Sequence, residues 1–192
     1  MGSAERGAAG EGSFIPAWRC SLDGRAVMHG PVYRFLQEDH ARLDALLRRA
    51  DALPDLIDFD AFESFRGGLL RHIAMEQKVL LPEARRLRGG QPLDVARQLR
   101  ADHAALAGLL VPTPTHEIIA TIRRVLVEHN PLEEDPGGLY EDCERLAGAE
   151  ADALVARMRA IPPVPTAPHF DGPRVFTAIE NLLHARLNVG DG

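Results

Sequence analysis

Four histidines and two glutamates carry the chemistry this sequence suggests: His40, His72, Glu76, His103, His129 and Glu133. His72 and Glu76 are four residues apart, as are His129 and Glu133, so on a helix each pair projects from one side, one turn apart. Imidazole nitrogen with carboxylate oxygen, and no thiolate, is a donor set that suits iron or manganese, with zinc and copper as competitors. A His-x-x-x-acid spacing alone carries little weight. Eight histidines among so many acids should produce about one by chance, and His40 with Asp44 is read as such an incidental match.

Recurrence gives the set its weight. A shift of 63 residues lays Val32 on Val95, Arg34 on Arg97, Leu36 on Leu99 and the tripeptide Asp39-His40-Ala41 on Asp102-His103-Ala104. Leu43, Leu46 and Leu47 then fall on Leu106, Leu109 and Leu110, which makes nine identities in sixteen positions. Shared amphipathicity does not require the same Asp-His-Ala. A shift of 57 lays Phe62 on Ile119, Phe65 on Ile122, Leu69 on Leu126, His72 on His129 and Glu76 on Glu133. The repeating unit is therefore a pair of helices, each pair giving one histidine and one His-x-x-x-Glu.

The elements that must position these groups follow from periodicity. Pro31 stands where a first helical residue is tolerated, and Val32, Leu36, His40, Leu43 and Leu47 form one helical face. Asp58 or Asp60 caps a second helix with an inward stripe from Phe62 to Leu80, and Pro82 followed by Gly89-Gly90 is expected to close it. A third helix opens near Pro92 and Asp94 and runs to Leu110; a fourth carries Ile119, Ile122, Leu126, His129 and Glu133. Pro131 lies inside the fourth, where a kink or restart is expected that could shift Glu133 and leave Glu134 as the alternative. Short connections favour antiparallel neighbours, so the expectation is an all-α, up-down-up-down four-helix bundle. The histidine stripes face one another inside it, and cations between them would offset the cost of burying two carboxylates. We divide the chain into a flexible segment 1–30, the bundle 31–146, and accessory helices in 147–192 packed on it. Ala147 to Ile161 is expected as one helix, followed by a Pro-rich link and a last helix from about Val175 to Leu187.

Residues 31 to about 146 resemble the hemerythrin HHE cation-binding domain family, in the pattern His40, His72-x-x-x-Glu76, His103, His129-x-x-x-Glu133. The resemblance implies two iron ions in an oxo- or hydroxo-bridged centre, with Glu76 and Glu133 bridging. His40 and His72 would serve one iron, His103 and His129 the other. Oxygen-carrying members have a further histidine one turn along the third helix; here Ala107 stands in that place. That substitution disfavours clean reversible oxygen carriage and favours oxidation, nitric oxide binding or metal loss. The four-histidine set is closer to di-iron proteins of stress response, iron-centre repair and iron sensing.

A net charge of -6 with intermingled signs leaves no basic face for nucleic acid or anionic lipid. No apolar run approaches the ~20 residues of a membrane span and no signal-peptide block is visible, so a cytoplasmic protein is expected. Cys20 and Cys143 are far apart and are read as reduced and inert. His29, His116, His169 and His184 have no repeated partners and are read as surface groups, with His29 and Tyr33 near an entrance. The function expected is a non-haem di-iron protein that binds or senses dioxygen, nitric oxide, peroxide or the iron and redox state. The partner is then a small diatomic or peroxide molecule, and the C-terminal helices serve as cover or as a homo-oligomer contact. A di-iron enzyme or repair factor is the second reading, and a metal-free helical interaction module the third.

Overall fold

The computed structural model describes residues 29–189, so most of the N-terminal segment and Cys20 lie outside the described residues. The described chain is all-helical: α1 Pro31–Ala50, α2 Phe59–Met75, a π-helical turn Glu76–Leu80, α3 Leu81–Leu87, α4 Ala96–Leu109, α5 His116–Glu134, α6 Leu139–Ala147, a 3₁₀ turn Gly148–Glu150, α7 Ala151–Arg159 and α8 Pro173–Leu187. No strand occurs among the described residues, only one bridge between Leu53 and Leu56.

Caps fix where the site-bearing helices begin. The Asp58 carboxylate accepts the Ala61 N–H at 3.0 Å, and the Thr115 hydroxyl accepts that of Ile118 at 3.2 Å. At α1, Pro31 opens the helix and a distant residue does the capping: Glu144 of α6 accepts the Val32 and Tyr33 N–H groups at 2.7 and 3.2 Å. This ties α6 to the start of α1, and α6 was not foreseen as an element of its own.

The buried apolar side chains fall into two clusters, and every site-bearing helix contributes to the layer between them. One cluster holds Val32, Leu36, Met75, Leu80, Leu99 and Tyr140. The other holds Leu43, Leu47, Phe65, Leu69, Ile73, Leu106, Ile122 and Val125. On α1, His40 lies between Leu36 and Leu43; on α4, His103 lies between Leu99 and Leu106. A polar layer thus lies between two apolar ones.

Three expectations differ from what is found. Pro82 does not close the second helix. The π turn inserts an extra residue, with the Leu81 N–H reaching the Glu76 carbonyl, and this widening relieves the clash a proline makes with the carbonyl four residues back. Pro131 neither ends nor restarts α5, which runs on to Glu134. The carbonyl it deprives of a donor belongs to Val127, which is 73% exposed and can turn to water. The stretch expected as one helix from Ala147 to Ile161 begins as the end of α6, turns at Gly148 with φ +51°, and continues as α7. Ala151, Leu154, Val155 and Met158 of α7 belong to the same cluster as Val32 and Leu36, so α7 is part of the core and not only a cover.

α8 lies against α4 with Ile179 buried. Gly108 permits that approach, since a Cβ there would stand 3.0 Å from the Leu182 methyl. Among the described residues no helix is long and apolar enough to cross a membrane.

Candidate metal centre

The six residues singled out from the sequence meet in the polar layer. His72, Glu76, His103, His129 and Glu133 are buried, and the His40 side chain is 10% exposed. One donor atom each from His40, His72, Glu76 and Glu133 lie within 4.8 Å of one another, and so do donors from His103, His129 and Glu133. The continuity of α5 through Pro131 keeps His129 and Glu133 on the inner face.

The two carboxylates each divide their oxygens between the histidine pairs. Glu76 sets Oε1 3.3 Å from His72 Nε2 and Oε2 3.2 Å from His103 Nε2. Glu133 sets Oε2 3.4 Å from His40 Nε2 and Oε1 3.2 Å from His129 Nε2, with His103 Nε2 at 3.7 Å. Glu134 points elsewhere, to the outer nitrogen of His40. Three buried atoms at the centre, Glu76 Oε2, His103 Nε2 and Glu133 Oε1, have no hydrogen-bond partner. Native interiors rarely leave such groups unsatisfied. Cations between these nitrogens and oxygens would satisfy all three, and in that respect the residues fit a metal site.

Every imidazole turns Nε2 inward because a second group holds its Nδ1. Asp39 Oδ2 is 3.0 Å from His72 Nδ1, and Asp102 Oδ2 is 3.3 Å from His129 Nδ1. Gln77 holds His103 Nδ1 at 3.2 Å, and Glu134 holds His40 Nδ1. Such partners fix tautomer and ring orientation in metal sites. The arrangement repeats with the helix pairs: the Asp before each first histidine holds the second histidine of its own pair, and the residue after each inner Glu holds the first histidine of the other pair. Asp39 is braced locally by Arg42 at 2.7 Å, whereas Asp102 is braced by Gln98 at 2.8 Å and by Arg186 of α8 at 2.7 Å. The repeated Asp-His-Ala displayed both aspartates in the sequence, and their role was missed because it depends on which helices are neighbours.

Tyr140 was missed altogether. Its hydroxyl donates to Glu76 Oε1 at 2.8 Å and to Glu133 Oε2 at 3.1 Å, and stands 3.1 and 3.3 Å from His40 and His72 Nε2. Burial and the two carboxylates hold its pKa well above the ordinary value, so without cations it is a phenol donor. Burial pushes His72 down, but Glu76, Asp39 and Glu133 outweigh it and raise its pKa to about 10. His129 is likewise lowered by burial and raised to about 10 by Glu133, Asp102 and Glu76. Glu133 is pushed up by burial and by Glu76, yet His129 and His103 bring it to about 2. Without cations, the centre is held by charged imidazoles and carboxylates.

A cavity of about 580 Å³ opens against the centre, walled by Leu43, Leu47, Phe65, Leu69 and Leu126 and reaching all four histidines. Asn130 lines it, and its buried Oδ1 has no partner. Hydrophobic spacing alone does not reveal a space this large. Three of the other four histidines are paired: His29 stacks on Tyr33, His116 meets Asp51 at 2.5 Å, and His169 lies 2.6 Å from Glu63 and 3.3 Å from the Val111 carbonyl, while His184 is exposed on α8 as expected. His169, expected at the surface, pins the Pro-rich link to α2, with its side chain 18% exposed. Cys143 is buried, and burial beside Glu76 raises its pKa, as befits an inert thiol.

Compared with known families, residues 32–159 match the model described as Hemerythrin HHE cation binding domain. Neither a curated protein nor a solved structure matches the chain.

Proposed function

Because the chain belongs to the hemerythrin HHE cation-binding domain family, we propose that it is a non-haem di-iron protein that binds or senses a small ligand such as dioxygen, nitric oxide or peroxide. The observation that carries this reading is the division of Glu76 and Glu133, each offering one oxygen to either histidine pair. That pattern suits two ions bridged by two carboxylates, with His40 and His72 on one and His103 and His129 on the other. Iron fits the nitrogen and oxygen donor set, with manganese and zinc as alternatives. The bundle is taken as residues 31–146, with α1, α2, α4 and α5 in up-down-up-down order, and 147–192 as a C-terminal segment whose α7 completes the core. The close packing of α1 on α2 and of α4 on α5 supports this order. When bound, iron supplies electron exchange and open positions for a small ligand. The chain's own residues do the rest: the Nδ1 partners orient the imidazoles, the two apolar clusters flank the donors, and the cavity admits a small molecule.

The cavity also favours a second reading. A volume of about 580 Å³ against the centre leaves room for a substrate and its products, so a di-iron enzyme, such as a peroxide or nitric oxide reductase, or an iron-centre repair factor is the alternative. Elemental analysis of protein from iron-replete cells, with visible spectra in air and after reduction, tests the first reading; about two irons per chain are expected. Protein isolated without any metal, and unable to take it up, would overturn it. Rapid catalytic consumption of peroxide or nitric oxide by the loaded protein would favour the enzyme.

A further inference from the structure

We infer that Tyr140 is a fifth protein ligand to the ion held by His40 and His72, which leaves the open position on the ion held by His103 and His129. The inference rests on the two-ion reading above. Its basis is the place of the hydroxyl: Oη lies 2.8 to 3.3 Å from all four prospective donors at that end, namely His40 Nε2, His72 Nε2, Glu76 Oε1 and Glu133 Oε2. Metal bonds to nitrogen and oxygen of ~2.1 Å place ligand atoms at right angles ~3.0 Å apart. Oη therefore keeps the separation that neighbouring ligands of one ion keep, and it keeps it from all four at once.

Among the described residues the other end has no such group. His103 Nε2 lacks any hydrogen-bond partner, and the chain's second tyrosine, Tyr33, donates its hydroxyl to the Glu134 carbonyl at 2.7 Å. The Nδ1 partners differ in the same sense, with the Glu134 carboxylate on His40 and the Gln77 amide on His103. The His40 end is thus richer in anionic oxygen and has five protein donors, while the His103 end has four. On ligation the Oη proton leaves to solvent and the oxygen lone pair forms the metal bond; no electron transfer is needed. Phenolate on ferric iron gives a visible charge-transfer band, and light absorbed in that band enhances the tyrosine ring modes in resonance Raman scattering.

The test uses the full chain loaded with iron(II) and oxidised in air, with iron counted by elemental analysis. The wild-type protein should show phenolate ring modes that shift when it is grown on ring-deuterated tyrosine. Tyr140→Phe should lose both band and modes while still holding iron, and Tyr33→Phe should keep them. Iron-loaded wild type without phenolate modes, or modes that persist in Tyr140→Phe, would overturn the ligand assignment and leave the two-ion reading standing. Wild type that binds no iron would overturn both.

Discussion

Asp102 serves three partners at once, accepting from Gln98 and Arg186 on one oxygen and facing His129 Nδ1 with the other. Removing such an outer partner typically costs 10- to 100-fold in metal affinity. Asp102→Asn and Asp39→Asn should each weaken cation binding by roughly that factor, read by competition with a chelator. Unchanged affinity in both would remove their role as orienting groups. Protonation gives a second expectation. His72 and His129, raised from an ordinary value of 6.5 to about 10, stabilise the metal-free fold fully below 6.5 and lose that contribution as pH climbs toward 10. Glu133, lowered from 4.5 to about 2, contributes fully above 4.5 and loses that as pH falls toward 2. The metal-free protein should therefore melt highest between about 4.5 and 6.5, as thermal scans across pH would record. Cations bind neutral imidazole, so uptake at neutral pH must expel protons; calorimetry in buffers of different ionisation heat should detect them, and none released would contradict the charged imidazoles. At this scale the six inward groups were legible because each has a repeated counterpart on an apolar stripe. Tyr140 was not, because it occurs once, past Pro136-Gly137-Gly138, with no second copy to set it apart.

Among the elements, periodicity located the helices that carry donors and misjudged what interrupts them. Proline reads as a stop in a sequence because it lacks an N–H and collides with the carbonyl four residues back. At Pro82 the π turn removes that collision, and at Pro131 the orphaned Val127 carbonyl lies on an exposed flank. Neither remedy leaves a mark on hydrophobic spacing. The π turn also carries Gln77, the partner of His103. Deleting Lys78, which is exposed, should restore the α repeat with Leu81 and Ala84 still facing the core, and force Pro82 into a regular helix. A proline in a helix interior costs about 3 kcal/mol, which for a chain of this size is a fall in Tm of roughly 6–12 °C. A melt unchanged by the deletion would mean that the turn is not what accommodates Pro82.

For the molecule as a whole, the doubled helix pair was readable and its fastening was not. α7 joins the core through four buried residues, and Glu144 of α6 caps α1 across more than a hundred positions of chain. Such contacts join segments that share no motif, so no spacing rule could expose them. The same holds for α8, whose Arg186 reaches Asp102 at 2.7 Å and Glu128 at 2.8 Å. Arg186→Ala leaves a buried carboxylate without its cation, and bound iron should then escape to a chelator several-fold faster than from the wild type. Equal escape rates would show that α8 only covers α4.

The route from Arg186 through Asp102 to His129 ties α8 to the centre. Displacing residues 173–187 would therefore slacken one of the four imidazoles without touching it.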